Sequence, residues 1–168
     1  MKQNLLPLAL AIIAAFSVSC SKDTSPKKLA GVWRPVEERY FINDKEVDLE
    51  YGETIFLYYD NESIMSYFER YTKVSEFESL VYISFETDGS MNFCGFSGTY
   101  KIADDKVVCT VFGDQEVLTI EGDYLLEETK YNITGYVIGE GFWPSEDARE
   151  TKLDGVSRAF KVKTYYSK

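Results

Sequence analysis

Any chemistry in this chain has to be done with carboxylates, thiols and aromatic rings. The sequence carries 28 Asp and Glu residues, three cysteines and no histidine. Without imidazole it lacks the commonest general base, the Ser-His-Asp and Cys-His pairings, and the commonest zinc ligand. Paired carboxylates remain the route to acid–base work, of the kind used on glycans, but spacing marks no pair above the others. The densest acidic run, 44–53 (DKEVDLEYGE), lacks the alternating ligands and mid-loop glycine of a calcium loop and reads as a solvated loop. The expectation is a protein that is not an enzyme, with no cofactor and no metal site. A net charge of −10 repels phosphate backbones, so nucleic acid is not an expected partner. It also gives no attraction to anionic lipid.

Cys94 and Cys109 pose a geometric question. If 88–89 and 104–105 are hairpin turns, Cys94 faces Ile83 and Cys109 faces Tyr100. Six residues of continuous strand between Cys94 and Tyr100 would span roughly 20 Å, whereas a disulfide tolerates about 7 Å between α-carbons. A bond needs a sharp break within 95–98 (GFSG), which its two glycines permit. Free, buried thiols are the expectation. The rings with least regular structure around them are Phe142 and Trp143, in the loop GEGFWP at 139–144. They either cap a mouth and contact a ligand or partner, or anchor the loop onto the domain.

The elements that position these groups read as β from end to end. Tyr, Phe, Val, Ile and Thr are abundant, and 15% of residues are aromatic, as pleated half-buried surfaces require. Strands are predicted at 32–42, 54–59, 64–71, 80–86, 91–93, 99–102, 107–112, 117–120, 124–128, 131–138 and 159–166. Turn signals at 87–90, 103–106, 113–114 and 122–123 separate them, and the last three have the spacing of consecutive hairpins. The best helical stretch, 144–152, has only Ala148 on an apolar face and amounts to a turn or two. So many short antiparallel strands must hide their edges. An up-and-down barrel does so by closure, and a two-sheet β-sandwich is the alternative.

At the N-terminus a single Lys2 precedes the apolar run 5–18 (LLPLALAIIAAFSV), which ends at Ser17-Val18-Ser19-Cys20. A positive start, an apolar middle and small residues before a cut are the layout of an export signal, and the run is marginal as a spanning helix. The ending resembles the lipobox of bacterial lipoproteins, with Ser17 where Leu is usual. The resemblance implies cleavage before Cys20 and acyl chains on Cys20 as the membrane partner, and more than one chain is what stable anchoring needs. Ser21 implies sorting to the outer membrane. The domains are then a signal peptide at 1–19, a lipidated polar tether at 20–28 and a β-domain at 29–168. Loss of 1–19 removes one charged residue, Lys2, and takes the net charge to about −11.

The β-domain opens on Leu29-Ala30-Gly31-Val32-Trp33. Later come Phe85-Glu86-Thr87-Asp88-Gly89, Gly98-Thr99-Tyr100-Lys101-Ile102, and Val117-Leu118-Thr119-Ile120 followed by Asp123-Tyr124-Leu125-Leu126. The Gly-x-Trp at the entry to the first strand, with these segments in this order, resembles lipocalins and the lipocalin-like domains of bacterial lipoproteins. No clear Thr-Asp-x-x-Tyr motif accompanies them. The resemblance implies an all-β, antiparallel, up-and-down lipocalin-like barrel. It implies a closed floor where Gly31 gives room, Trp33 plugs the end and an arginine from the last strand, Arg158, packs across the indole. A surface charge at a strand start is the other role open to Arg158. The expected function is a membrane-anchored lipoprotein whose barrel binds a small apolar or amphipathic ligand. The alternative is a non-enzymatic accessory lipoprotein with a filled barrel, contacting a protein partner at the cell surface.

Overall fold

The computed structural model describes residues 25–59, 64–69, 81–141, 143–144 and 146–168, with 64–69 described by their backbone alone. The run 1–19, Cys20 and Phe142 therefore lie outside the described residues. Among the described residues the elements are one helical turn, α1 (Pro26–Leu29), and strands β1 (Gly31–Ile42), β2 (Lys45–Val47), β3 (Glu53–Tyr58), β4 (Ile64–Glu69), β5 (Ile83–Phe85), β6 (Ser90–Phe93), β7 (Phe96–Ala103), β8 (Lys106–Val111), β9 (Asp114–Glu121), β10 (Tyr124–Ile133), β11 (Gly135–Glu140), β12 (Glu150–Lys152) and β13 (Arg158–Ser167).

Eight strands form a closed antiparallel barrel in the order β1-β5-β6-β7-β8-β9-β10-β13, and β13 pairs back onto β1 from Arg34↔Ser167 to Ile42↔Phe160. That last ladder decides between barrel and sandwich, because it leaves the large sheet without free edges on the ring. Its strands follow one another up and down, with two insertions. One carries β2, β3 and β4 between β1 and β5, and the other carries β11 and β12 between β10 and β13. The insertions pair with each other as a four-stranded sheet, β12-β11-β3-β4.

Local chemistry explains most of the joints. Three hairpins turn through consecutive residues at positive φ: Asn43-Asp44, Cys94-Gly95 and Phe112-Gly113. Such paired left-handed residues match the twist of the flanking strands. The first two hairpins carry no strong turn dipeptide, and they depart from the expected layout. Cys94 sits in a turn rather than on a strand, donating its N–H to the carbonyl of Tyr82 at 3.0 Å, so Ile83 pairs with Phe93 instead. Cys109 does face Tyr100, and both thiols are free. The strand expected over 131–138 is broken at Thr134, whose N–H bonds the carbonyl of Tyr58 at 2.7 Å. β10 therefore stays in the barrel while β11 leaves for the small sheet. The short helix expected at 144–152 is absent among the described residues, and its end forms β12 against β11. At the other end Ser25 caps α1 by accepting from the N–H of Lys28, with Pro26 opening the turn. Ser25–Lys28, read from sequence as tether, thus belong to the folded unit.

β1 carries the feature that sets which side chains meet. Trp33 and Tyr40 are seven positions apart, so strict alternation would put them on opposite faces. A bulge between Pro35 and Glu37 inserts one residue, and both are buried. Below the bulge, Trp33, Phe85, Met91, Tyr100, Val107, Leu118, Ile120, Leu125 and Tyr166 form one contiguous core with Leu29 of α1. Above it, Tyr40, Ile133, Phe160 and Val162 of the three long strands pack on Ile55, Leu57, Tyr136 and Ile138 of the small sheet. Every residue of β3 is buried, because Phe56 and Tyr58 face a further cluster with Val137 and Ala148.

Candidate functional site

The end of the barrel beneath α1 is closed. Trp33 donates its indole N–H to the carbonyl of Leu29 at 2.8 Å, which ties the plug to α1. Gly31 is needed for its backbone, at φ 125°, rather than for room, since a Cβ there would meet only the Lys168 side chain at 3.6 Å. The cation over the Trp33 ring is Lys168, 5.0 Å from its centroid, with its ammonium on the carbonyls of Lys28 at 2.5 Å and Ala30 at 2.7 Å. Arg158 does not reach the tryptophan. It stands at the opposite end of β13, forked onto Asp154 at 2.7 and 2.8 Å and 5.9 Å from the Tyr136 ring. Alternation does put it on the face of Phe160 and Val162, but ten residues of strand separate it from the floor.

The other end of the ring is built differently. Above the packed core, alternation sends Glu127 and Thr129 of β10, Glu116 of β9, Thr164 of β13 and Glu38 of β1 to the inner face. Yet Glu38, Glu116 and Thr129 are exposed. Inner-face residues that meet water mark an open mouth between the packed lower barrel and the small sheet. Tyr166 lies at its base and donates to Glu127 at 2.6 Å. Tyr40 donates to Glu38 at 2.8 Å, and Thr164 to its other oxygen at 3.4 Å. The rim on the short-strand side is aromatic. Phe93 pairs with Phe96 across the β6–β7 hairpin, and Phe96 meets Phe112 edge-on with centroids 5.0 Å apart. Phe96 is 52% and Phe112 79% exposed.

Among the described residues, no lysine or arginine is paired with the carboxylates of Glu38, Glu116 and Glu127. Burial pushes the Glu127 carboxyl above its usual range, the Tyr166 hydrogen bond opposes this, and Glu116 and Glu38 push it further up. The Tyr166 phenol is driven well above its usual value, by burial first and then by Glu127. Burial, with Glu116 and Glu127 nearby, raises the Cys109 thiol to about 12. Cys109 is thus an inert core group rather than a nucleophile. Such an arrangement can hold a positive group or a proton, and it offers apolar ring faces beside it. Among the described residues no group of three or more Cys, Asp or Glu is placed to hold a metal ion.

Other candidates are less developed. Trp143 is 78% exposed, so it does not serve as an anchor tucked onto the barrel. An open cleft of about 630 Å³ lies at the closed end, lined by Pro26, Asp88, Gly89, Tyr100 and Asp104 among others. Two of its polar groups are already engaged: Asp88 accepts from Ser90 and Tyr100 donates to the carbonyl of Glu86.

Sequence reasoning singled out Trp33, which is buried in the lower core, but not the mouth. Phe93, Phe96 and Phe112 carried no signal beyond lying near turns. Glu38 and Glu127 look like any other carboxylate among 28, and the bulge that turns Glu38 inward is not written in a motif. Lys168 was missed because β13 runs past the expected end of its strand. No protein-family model, curated protein or solved structure matches the chain.

Proposed function

We propose that this protein is a lipid-anchored outer-membrane lipoprotein, not an enzyme, whose lipocalin-like barrel holds a small amphipathic ligand in its upper mouth. The observation that carries the reading is the inner-face layer of Glu38, Glu116 and Thr129, which is exposed to water above a packed core. A barrel of eight strands is just wide enough to be filled by its own side chains or to take one small ligand. Here the lower half is occupied by Trp33, Phe85 and Tyr100, so ligand space lies above them. Polar groups set beside exposed rings are what orient an amphipathic molecule. The lipobox-like Ser17–Cys20 and the polar residues after it support the anchor.

Native mass spectrometry of the protein extracted from its own membrane tests the ligand. A bound small molecule, lost on Phe96→Ser substitution, is expected. An unliganded protein that displaces no amphipathic probe would remove the reading. Metabolic labelling with a palmitate analogue tests the anchor, and label surviving Cys20→Ala would refute it. A second reading, an accessory lipoprotein with a surface partner, is favoured by the exposed indole of Trp143. Partner recovery by cross-linking that is unchanged in Trp143→Ala would count against that patch.

A further inference from the structure

We propose that the upper mouth selects a water-borne organic cation with an apolar body. The ammonium would lie toward Glu38, Glu116 and Glu127, and the body against the rim of Phe93, Phe96 and Phe112. This rests on the ligand-binding reading above and adds the ligand's charge and source.

The rim is the apolar half of the argument. Three phenyl rings on two neighbouring hairpins are joined by register and by the edge-on contact of Phe96 with Phe112, and they leave a patch open to water. Phe112 holds a left-handed backbone, φ 54°, as the first residue of its turn. Bulky side chains are rare there, and Asn or Gly is the ordinary choice. A strained, exposed ring at a hairpin tip has no role in the barrel core, and strain of this kind concentrates at binding sites.

Charge complementarity names the occupant. Among the described residues, the carboxylates of Glu38 and Glu127 accept side-chain hydrogen bonds from the hydroxyls of Tyr40, Thr164 and Tyr166, and no lysine or arginine is paired with them. The charged groups that act on Glu127 are themselves carboxylates, Glu116 and Glu38. An apolar patch beside carboxylates that no described cation pairs favours a cation and repels a fatty acid or a phosphate. An ammonium can also rest on the ring faces.

Taken with the anchor proposed above, the fold sets the source. The chain enters at the closed end through α1, whereas the rim hairpins lie at the other. Only residues 21–24 separate Cys20 from Ser25, a reach of about 17 Å at full extension. An anchor on Cys20 keeps the floor toward the bilayer and turns the mouth to the aqueous side.

The test uses the full chain in phosphatidylcholine nanodiscs, titrated calorimetrically with 4-phenylbutylammonium, 4-phenylbutanol and 4-phenylbutyrate. The cation should bind at least roughly tenfold tighter than the anion, with the alcohol between them. Combined Glu38→Gln, Glu116→Gln and Glu127→Gln should abolish that preference while leaving alcohol binding in place. Phe112→Asn, which suits the turn, should weaken all three probes without lowering the melting temperature. Equal binding of cation and anion, or a preference that survives the triple substitution, overturns this inference and leaves the ligand-binding barrel standing. Binding of none of the probes sinks both. Transfer of fluorescent phospholipid out of the nanodisc into the barrel overturns the water-borne source.

Discussion

Replacing Glu127 by Gln should make the protein more stable at neutral pH and flatten its response to pH. Glu127 lies on the inner face of β10 with Tyr166 donating to it at 2.6 Å, and burial holds its carboxyl above the usual range. For a group whose folded value is raised, the stability it lends is complete below the unfolded value, about 4.3 for Glu. That stability is lost as pH climbs through the folded value. The difference between wild type and variant should therefore open above about pH 4.3, with a limiting slope of about 1.4 kcal/mol per pH unit, the value for one proton. Against a total of about 5–15 kcal/mol for an ordinary domain, a single pH unit of that slope is measurable. Gln keeps an oxygen that accepts from Tyr166 and has no proton to lose, so the packing is preserved while the titration disappears. Urea unfolding between about pH 4 and 8, followed by tryptophan fluorescence, reads the difference. Trp33 is buried and reports the transition, while Trp143 is already exposed. Tyr166→Phe should extend the window at its upper end, because the ionised carboxylate loses its donor in the folded state. Parallel profiles for wild type and Glu127→Gln, or a variant less stable at neutral pH with the slope unchanged, would refute the reasoning.

Three further outcomes follow from other contacts. Lys168→Met removes an ammonium from two carbonyls and the Trp33 ring. Since these contacts are exposed, it should lower stability by about 1–2 kcal/mol, read as an earlier urea midpoint at constant slope. Arg149→Met strips both guanidinium bonds, 2.6 and 2.7 Å, from the buried Glu53 and should cost about 2–4 kcal/mol. Adding Glu53→Gln should recover part of that loss. Iodoacetamide should modify the half-buried Cys94 in the native protein while Cys109 reacts only on unfolding. Simultaneous labelling of the two in a mass-spectrometric time course would contradict the burial described for Cys109.

Much of the barrel was legible because strands announce themselves through alternation and turns. The expected strand at 107–112 and the turn at 113–114 became β8 and the Phe112-Gly113 hairpin, and Tyr100 met Cys109 as the spacing required. Trp33 was singled out through the Gly-x-Trp resemblance, and its ring is buried in the lower core, whereas Gly31, expected to give room, is needed for its backbone at φ 125°. The small sheet was not foreseen. Its strands β3 and β11 read as apolar runs, but nothing local says that they pair with each other rather than with the ring. Arg158 and Lys168 show the same limit. Both are cations at the ends of the last strand, Arg158 opening it and Lys168 just past it, and which of them meets Trp33 depends on how far β13 runs along β1.

The sequence by itself determined the class of structure, the exclusion of imidazole chemistry, the acidic balance and the turns at 87–90, 103–106, 113–114 and 122–123. Each follows from composition or from the period of nearby side chains. Only the tertiary structure decided which carboxylates out of 28 share a mouth, which rings form its rim and which cation covers the floor. Those choices depend on barrel stagger and on one bulge in β1. These set which residues of strands far apart in sequence stand at the same height, and no local pattern encodes that height.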